Sequence, residues 1–170
     1  MAGQLVQVAT NTITSAVSSV TLTGINTDDV YMIAYNNVAP SNDNISLYGY
    51  VTKSGTAQTD SEYDIARKNL LTYSSFSNTG NVNEDKLNFG NFGTGTSETH
   101  QGIFYLYNFN SASEYSFLII EELHMMADPN NLYGTAGGAV HTVASASDGF
   151  SWVPASGNLT SGTFTLYRQV

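Results

Sequence analysis

The chain of 170 residues has no cysteine and few charged side chains. Without cysteine it can form no disulfide framework, no thiolate zinc site and no cysteine nucleophile. Five basic residues stand against fourteen acidic ones, and the formal net charge is −9. So few cations argue against nucleic acid, whose affinity depends on contacts to phosphate, and against anionic membranes, which attract basic surfaces. We therefore expect neither nucleic acid nor a membrane as a partner.

Long apolar runs are also absent. The longest, Phe117–Ile120, is far shorter than a membrane span. Residues 1–8 lack the basic region and the apolar core of a signal peptide, so we expect a soluble protein without a targeting segment. A chain of this length suits one domain and buries about 70% of its unfolded surface. Residues 1–170 are therefore predicted to form a single domain with its own core.

What the chain does contain is a series of strand-like runs separated by turns rich in Gly, Asn, Ser and Asp. Aromatic and β-branched residues dominate these runs, as a pleated, half-buried surface favours. The predicted strands are 16–23, 30–35, 45–52, 86–92, 102–109, 115–126, 139–144, 149–153 and 163–170. So many short strands predict an all-β sandwich or barrel, and we expect a single antiparallel β-sandwich.

Three segments do not show a clear strand pattern. Residues 61–71 combine a weak capping pattern with helix-forming residues, which predicts a short helix or, equally well, an edge strand. Residues 74–83 and 91–101 are polar and rich in glycine, so both are predicted to be loops.

Catalytic motifs are scarce. The sequence has no Gly-x-Ser-x-Gly elbow, and Gly93–Ser97 lacks the lysine that a phosphate-binding loop needs. Its three histidines, His100, His124 and His141, do not have the spacing of metal ligands. His124 lies two residues after Glu122 on the same strand face, so a metal site or an acid–base pair is one hypothesis. We favour a hydrogen-bonded strand pair or a contact between subunits, and we predict no catalytic, metal or cofactor site.

Three oxygen-rich turns, at 28–29, 42–44 and 128–131, could attract calcium. None has the Asp-x-Asn-x-Asn-Gly spacing of a calcium loop. Side chains that hydrogen-bond to the nearby backbone explain such turns with less effort. We therefore predict structural turns at all three places.

Glu121 and Glu122 interrupt an otherwise apolar strand. Because successive side chains of a strand point to opposite faces, one of the two carboxylates is expected to point into the core. A buried carboxylate is costly unless it gains a partner. Arg67 and Arg168 are the candidate partners, and Arg168 shares its strand face with apolar residues. We therefore expect a structural pair of Arg168 with Glu121 or Glu122.

The single tryptophan allows two interpretations. Trp152 lies between Phe150 and Val153, which indicates a position in the core. In the weaker alternative, the indole is exposed and stacks on a glycan.

Several segments, taken in order, form a series of motifs. The Ser- and Ala-rich opening at 5–22 leads to a strand, and an aromatic strand follows the acidic turn within 28–33. Residues 63–68 are similar to a Tyr/Ala/Arg segment that follows a Gly/Ser loop, and Gly102–Asn108 is similar to a G-x-I-x-I-Y-N strand. Ser156–Tyr167, the most specific motif, is similar to the ending SGNI-x-x-GTF-x-LYG. In these motifs the chain resembles small virion structural proteins of tailed bacteriophages.

The resemblance spans nearly the whole chain, with two departures. Arg168 stands where the group has a terminal glycine, and residues 121–126 have no counterpart. The resemblance implies a jelly-roll-like β-sandwich, commonly a homotrimer, that serves in tail fibres, tail tips or head decorations. It implies no catalytic residue.

Three functions follow as hypotheses. The first is a non-enzymatic virion structural protein, assembled in the bacterial cytoplasm and displayed on the particle as a head-decoration subunit, a tail tip or a fibre knob. Its partners would be its own copies, other virion proteins and host surface polysaccharide. A strand pattern within the first few residues favours a compact subunit over a full fibre. The second is a carbohydrate-binding module, and the third is a glycan depolymerase with paired carboxylates.

Overall fold

A computed structural model describes residues 3–127 and 131–170. This part of the chain forms thirteen β-strands and no helix. The strands are β1 (Leu5–Thr12), β2 (Val20–Thr23), β3 (Tyr31–Pro40), β4 (Ile45–Lys53), β5 (Thr56–Ala57), β6 (Tyr63–Leu71), β7 (Ser77–Glu84), β8 (Leu87–Phe92), β9 (His100–Tyr107), β10 (Ser116–Met125), β11 (Leu132–His141), β12 (Gly149–Pro154) and β13 (Leu159–Gln169).

The strands pair antiparallel in two sheets. The large sheet has eight strands in the order β1-β13-β3-β9-β10-β11-β6-β7. The small sheet has the order β2-β12-β4-β5, and β8 also pairs with β4. The two sheets enclose one core, so the predicted class, an all-β antiparallel sandwich, is confirmed.

The centre of the core is a stack of aromatic rings from both sheets. Phe150 and Trp152 of the small sheet meet Tyr35, Phe104 and Phe164 of the large sheet, with ring centroids 4.9 to 6.2 Å apart between the sheets. Complete burial of a side chain such as phenylalanine is worth about 1.5–3 kcal/mol. This stack therefore supplies a large part of the driving force that holds the two sheets together.

The strand β13 lies between β1 and β3. Phe164 and Leu166 point into the core, as the alternation predicts. Beyond the strand, Val170 and Gln4 exchange two backbone hydrogen bonds of 2.9 Å. The predicted strand at 163–170 is thus confirmed and held by partners on both sides.

The predicted short helix at 61–71 is wrong. Residues Tyr63–Leu71 form β6, which lies between β11 and β7 and so is not an edge strand either. Tyr63 and Ile65 are buried, whereas Ala66 is exposed. The gain from burying the inward residues of a strand outweighs the weak helix preference of this composition.

Two further segments differ from the prediction because their side chains carry a weak strand signal. The predicted loop at 74–83 contains most of β7, a polar edge strand. Backbone hydrogen bonds to β6 form whatever the side chains are, so tertiary pairing overrides the low strand preference here. β11 begins well before the predicted 139–144 because its glycines dilute the pattern. The predicted loop at 91–101 is confirmed only between Phe92 and His100.

Candidate functional site

Six polar side chains meet on the inner face of the large sheet, and we call them the polar cluster. Five neighbouring strands bring together residues that are far apart in sequence. The members are Tyr35 on β3, His100 on β9, Glu122 and His124 on β10, Thr135 on β11 and Arg67 on β6. The side chains of His100 and Glu122 have no exposed surface.

Glu122 lies at the centre of the polar cluster. The hydroxyl of Thr135 donates a 2.7 Å hydrogen bond to its Oε1, and Arg67 Nη1 lies 3.8 Å from the same oxygen. Its Oε2 lies 2.8 Å from His100 Nε2 without the alignment of a hydrogen bond, so that contact is mainly electrostatic. The buried carboxylate thus has the partners that its charge requires. The prediction that one carboxylate points inward is confirmed, and so is Arg67 as its partner.

His100 links Glu122 to Tyr35. Its Nε2 faces two acceptors, the Glu122 carboxylate and the Phe89 carbonyl at 3.2 Å, and therefore carries a proton. Its Nδ1 lies 3.1 Å from the Tyr35 hydroxyl. Burial, and then the charge of Glu122, raise the pKa of Tyr35 well above its ordinary value. The hydroxyl therefore stays protonated and donates to Nδ1.

His124 stacks on His100, with ring centroids 4.6 Å apart, and its Nε2 donates a 2.8 Å hydrogen bond to the carbonyl of Asn91. Burial, and then the neighbouring His100 ring, lower the pKa of His124 to about 3, although the bond to Asn91 acts in the opposite direction. The ring is neutral at pH 7. His124 shares a face with Glu122 as predicted, but the imidazole that contacts the carboxylate belongs to His100.

The polar cluster is closed to ligands in this conformation. A general acid or base must reach the proton that it transfers, and His100 and Glu122 have no exposed side-chain surface. Within residues 3–127 and 131–170, no group of three or more His, Asp or Glu side chains is placed to hold a metal ion. The arrangement therefore suits a structural role, in which polar contacts fix the register of neighbouring strands.

The predicted pair of Arg168 with Glu121 or Glu122 is wrong. Arg168 Nε lies 3.9 Å from Asp29 Oδ2, and 35% of the Arg168 side chain is exposed. β3 and β9 separate β13 from β10, so two whole strands lie between the strand of Arg168 and the strand of both glutamates. Glu121 points to the outer face of the sheet and is exposed. Local alternation does not reveal this strand order.

The remaining candidates have structural positions. Trp152 is fully buried, so the core interpretation is confirmed and the indole cannot stack on a glycan. His141 lies away from the polar cluster, with Nε2 3.3 Å from Glu62 Oε2. In the turn at 42–44, Asp43 accepts a 3.0 Å hydrogen bond from the Thr94 backbone, so its carboxylate joins two loops rather than closing its own turn. Most of the turn at 128–131 lies outside the described residues.

The outer face of the large sheet carries a group of exposed apolar side chains. Five large residues on two neighbouring strands are 38 to 49% exposed, and we call them the ridge: Ile103 and Tyr105 on β9, and Phe117, Ile119 and Leu123 on β10. Leaving two-fifths of such a side chain in water forgoes on the order of 1 kcal/mol relative to complete burial. Exposed apolar side chains that lie next to one another are more often found at interaction surfaces than elsewhere on a protein.

Beside the ridge, four outward positions of the same face carry small residues, with Asp64, Lys68 and Leu70 among them. We call these four small positions the hollow: Ala136 and Gly138 on β11, Ala66 on β6 and Gly80 on β7. A shallow cavity of about 590 Å³ lies over Ala66, Gly80 and Gly138 and is bounded by Phe117 and Ile119 of the ridge. A second cavity of about 680 Å³ lies on the same face beside Ile103 and Leu123. The outer face therefore has a raised apolar half and a recessed one.

The sequence analysis did not identify the ridge, although a signal was present. Phe117–Ile120 is apolar at four successive positions. Because neighbours on a strand point to opposite faces, such a run requires apolar surface on both sides of the sheet. The hollow gives no comparable signal, since alanine and glycine in a strand do not reveal what lies above them.

Comparison with protein-family models, with curated proteins and with solved structures found no match to the chain. The described residues form no helix that is long and apolar enough to cross a membrane.

Proposed function

We propose that the chain is a non-enzymatic structural protein of a tailed-bacteriophage virion, displayed on the particle surface as a compact head-decoration subunit, a tail tip or a fibre knob. The observation that carries the proposal is the ridge. A sheet face with five exposed apolar side chains fits a subunit that is covered in an assembly. The motif resemblance supplies the virion context.

The strand pairing supports a jelly roll as the finer description of the fold. Without β5, β6, β7, β10 and β11, eight strands remain in the orders β1-β13-β3-β9 and β2-β12-β4-β8. Their pairing is nested: β1 pairs with β13, β2 with β12, β3 with β9 and β4 with β8. A long hairpin rolled into two sheets has this pattern, and viral capsid domains use it.

Within the proposal, copies of the chain assemble as a homotrimer and contact other virion proteins. A closed ring of three copies covers an apolar face on every subunit and leaves no open end. The closed polar cluster supports the non-enzymatic part, because its acid–base groups are out of reach of a substrate. Contact with host surface glycans is a weaker part of the proposal, since buried Trp152 is not available for stacking.

Two measurements test the proposal. Immunogold labelling of intact particles from a host that expresses this chain is expected to place it on the head or at the tail, and unlabelled particles would contradict a virion role. Light scattering of the purified chain at micromolar concentration is expected to give three times the mass of one copy. A monomer under those conditions would contradict a trimer of the free protein.

A further inference from the structure

We propose that copies of this chain pack against one another through the outer face of the large sheet, with the ridge of one copy lying in the hollow of the next. The inference rests on the self-assembly proposed above. It adds which surface forms the contact and which charges set its register.

Shape is the first argument for a second copy as the occupant. The ridge and the hollow are neighbours on one face, so a single copy offers both halves of a complementary contact. In the paired rows of the sheet, Ile119 on β10 lies beside Gly138 on β11, and Gly138 lies beside Ala66 on β6. A large side chain and two small positions thus occupy the same row. Two copies can face each other across a two-fold axis that runs parallel to β11 and lies between their large sheets. In that arrangement Ile119 of one copy lies over Ala66 of the other.

Charge is the second argument. Glu121 and Lys68 occupy one row, on either side of Ala136. Their backbones are about 10 Å apart, because two strand spacings separate them. Among the described residues neither side chain forms an ion pair within its own copy. The half turn about that two-fold axis brings Glu121 of each copy opposite Lys68 of the other.

The neighbouring row agrees with this register. Leu123 on β10 and Leu70 on β6 flank Gly134 of β11. The half turn places the two leucines opposite each other across the contact. Three adjacent rows therefore pair a large residue with a small one, an acid with a base, and a leucine with a leucine.

The low charge of the face removes the main obstacle to self-association of an acidic chain. The net charge is −9, yet the outward positions of β3, β6, β9, β10, β11 and β13 include only three charged side chains, those of Asp64, Lys68 and Glu121. Two copies can approach through this face with little repulsion. A ring of three contains no half turn, so in a ring each copy offers its ridge and Glu121 to one neighbour and its hollow and Lys68 to the other.

The experiment reverses the two charges separately and together. Glu121→Lys and Lys68→Glu are each expected to raise the dissociation constant of the oligomer at least tenfold in low salt, as measured by sedimentation and light scattering. The double variant, in which the charges are exchanged, is expected to return to within about threefold of the wild type. Glu114→Lys, which makes the same charge change on an exposed loop, is the matched control and should have no effect.

Mixing the two single variants identifies the geometry. In a pair related by a half turn, the mixed species has two favourable contacts, so mixing restores association. In a ring of three, an odd number of subunits leaves one repulsive contact, so only the double variant restores it. Both outcomes support the contact, and the fluorescence of Trp152 before and after unfolding checks that each variant is folded.

Three results would overturn the inference: a wild type that stays monomeric at 100 µM, single variants that associate like the wild type, or a double variant no better than the single ones. Oligomers that survive both charge reversals would place the contact elsewhere and leave the proposed self-assembly standing. Particles without label would instead count against the virion role and leave the contact intact. The virion role and the contact through this face therefore fail in different experiments, whereas a monomeric wild type would contradict both the trimer and the contact.

Discussion

The two faces of the large sheet give glutamate side chains opposite environments. Glu121 and Glu122 are neighbours on β10, but the side chain of Glu122 is fully buried among Thr135, Arg67 and His100, whereas Glu121 is exposed and forms no ion pair with the residues that the structure describes. Within one copy, the inner face gives its buried carboxylate a hydrogen bond from Thr135 and an ion-pair partner in Arg67. The outer face leaves the apolar side chains of the ridge exposed and carries two charges, on Glu121 and Lys68, that form no ion pair with the described residues. The inner face therefore completes the fold of one copy, and the outer face is the surface that the proposed contact would cover.

The largest effect expected from this comparison is on the stability of a single copy. Glu122→Ala leaves the charge of Arg67 buried without its partner, and such a loss typically costs 3–5 kcal/mol. Glu121→Ala removes an exposed side chain and is expected to change the free energy of unfolding by less than about 0.5 kcal/mol. Urea unfolding at pH 7, followed by Trp152 fluorescence at a concentration where both variants are monomeric, measures the difference. Similar losses in the two variants would contradict the contrast between the faces.

A smaller change in the free energy of unfolding is expected when the pH is lowered, and it arises from His124 on the inner face. The folded chain holds the pKa of His124 at about 3, whereas an unfolded histidine titrates near 6.5. Between these values the unfolded chain binds a proton that the folded chain does not, so stability falls as the pH falls from 6.5 to 3. At pH 4.5 the loss from this group is on the order of 2–3 kcal/mol.

His124→Gln removes this titration and keeps a donor for the Asn91 carbonyl. The difference in unfolding free energy between the variant and the wild type should therefore shift by about 2–3 kcal/mol in favour of the variant between pH 7.5 and pH 4.5. His141 also has a lowered pKa, caused mainly by burial, but it is present in both proteins and cancels in the comparison. Parallel pH profiles for the two proteins would show that His124 is not the group responsible.

Much of the fold could be predicted because a strand pattern is local. The inward positions of Phe164, Leu166 and Trp152 follow from their neighbours in sequence, and the structure confirms them. The strand at 63–71 was harder to predict, because its composition favours a helix whereas its alternating pattern favours a strand. Burial of the inward side chains in the core decides between the two. The strand at 77–84 has almost no signal of its own and depends on its pairing with β6.

The site was harder to predict because it depends on strand order. Glu122 and Arg67 are 55 positions apart in sequence, and β11 alone separates their strands. Arg168 was an equally reasonable partner until the order placed it beside Asp29. The buried glutamate followed from alternation, whereas the identity of its partners required the topology.

The smallest change in the stability of a single copy is expected from a substitution on the ridge. The same substitution distinguishes an effect on folding from an effect on assembly. Ile119→Thr keeps a β-branched residue in the strand and replaces a side chain that is already 45% exposed, so its cost to the isolated copy should stay below about 1 kcal/mol. Leu118→Thr, the adjacent control, places a hydroxyl at a position that is 2% exposed, and about 2–4 kcal/mol is expected from lost burial and the buried polar group.

For association, the expected order of the two substitutions is the reverse: Ile119→Thr has the larger effect and Leu118→Thr the smaller. Ile119→Thr weakens the ridge and should raise the dissociation constant of the oligomer several-fold while the melting temperature of the isolated copy changes little. Leu118→Thr should lower that melting temperature by several degrees, with a smaller direct effect on the contact between folded copies. Light scattering and thermal unfolding of the same samples measure both quantities. If Ile119→Thr lowered stability as much as Leu118→Thr and left association unchanged, the outer face would belong to the core of the single copy rather than to an interface.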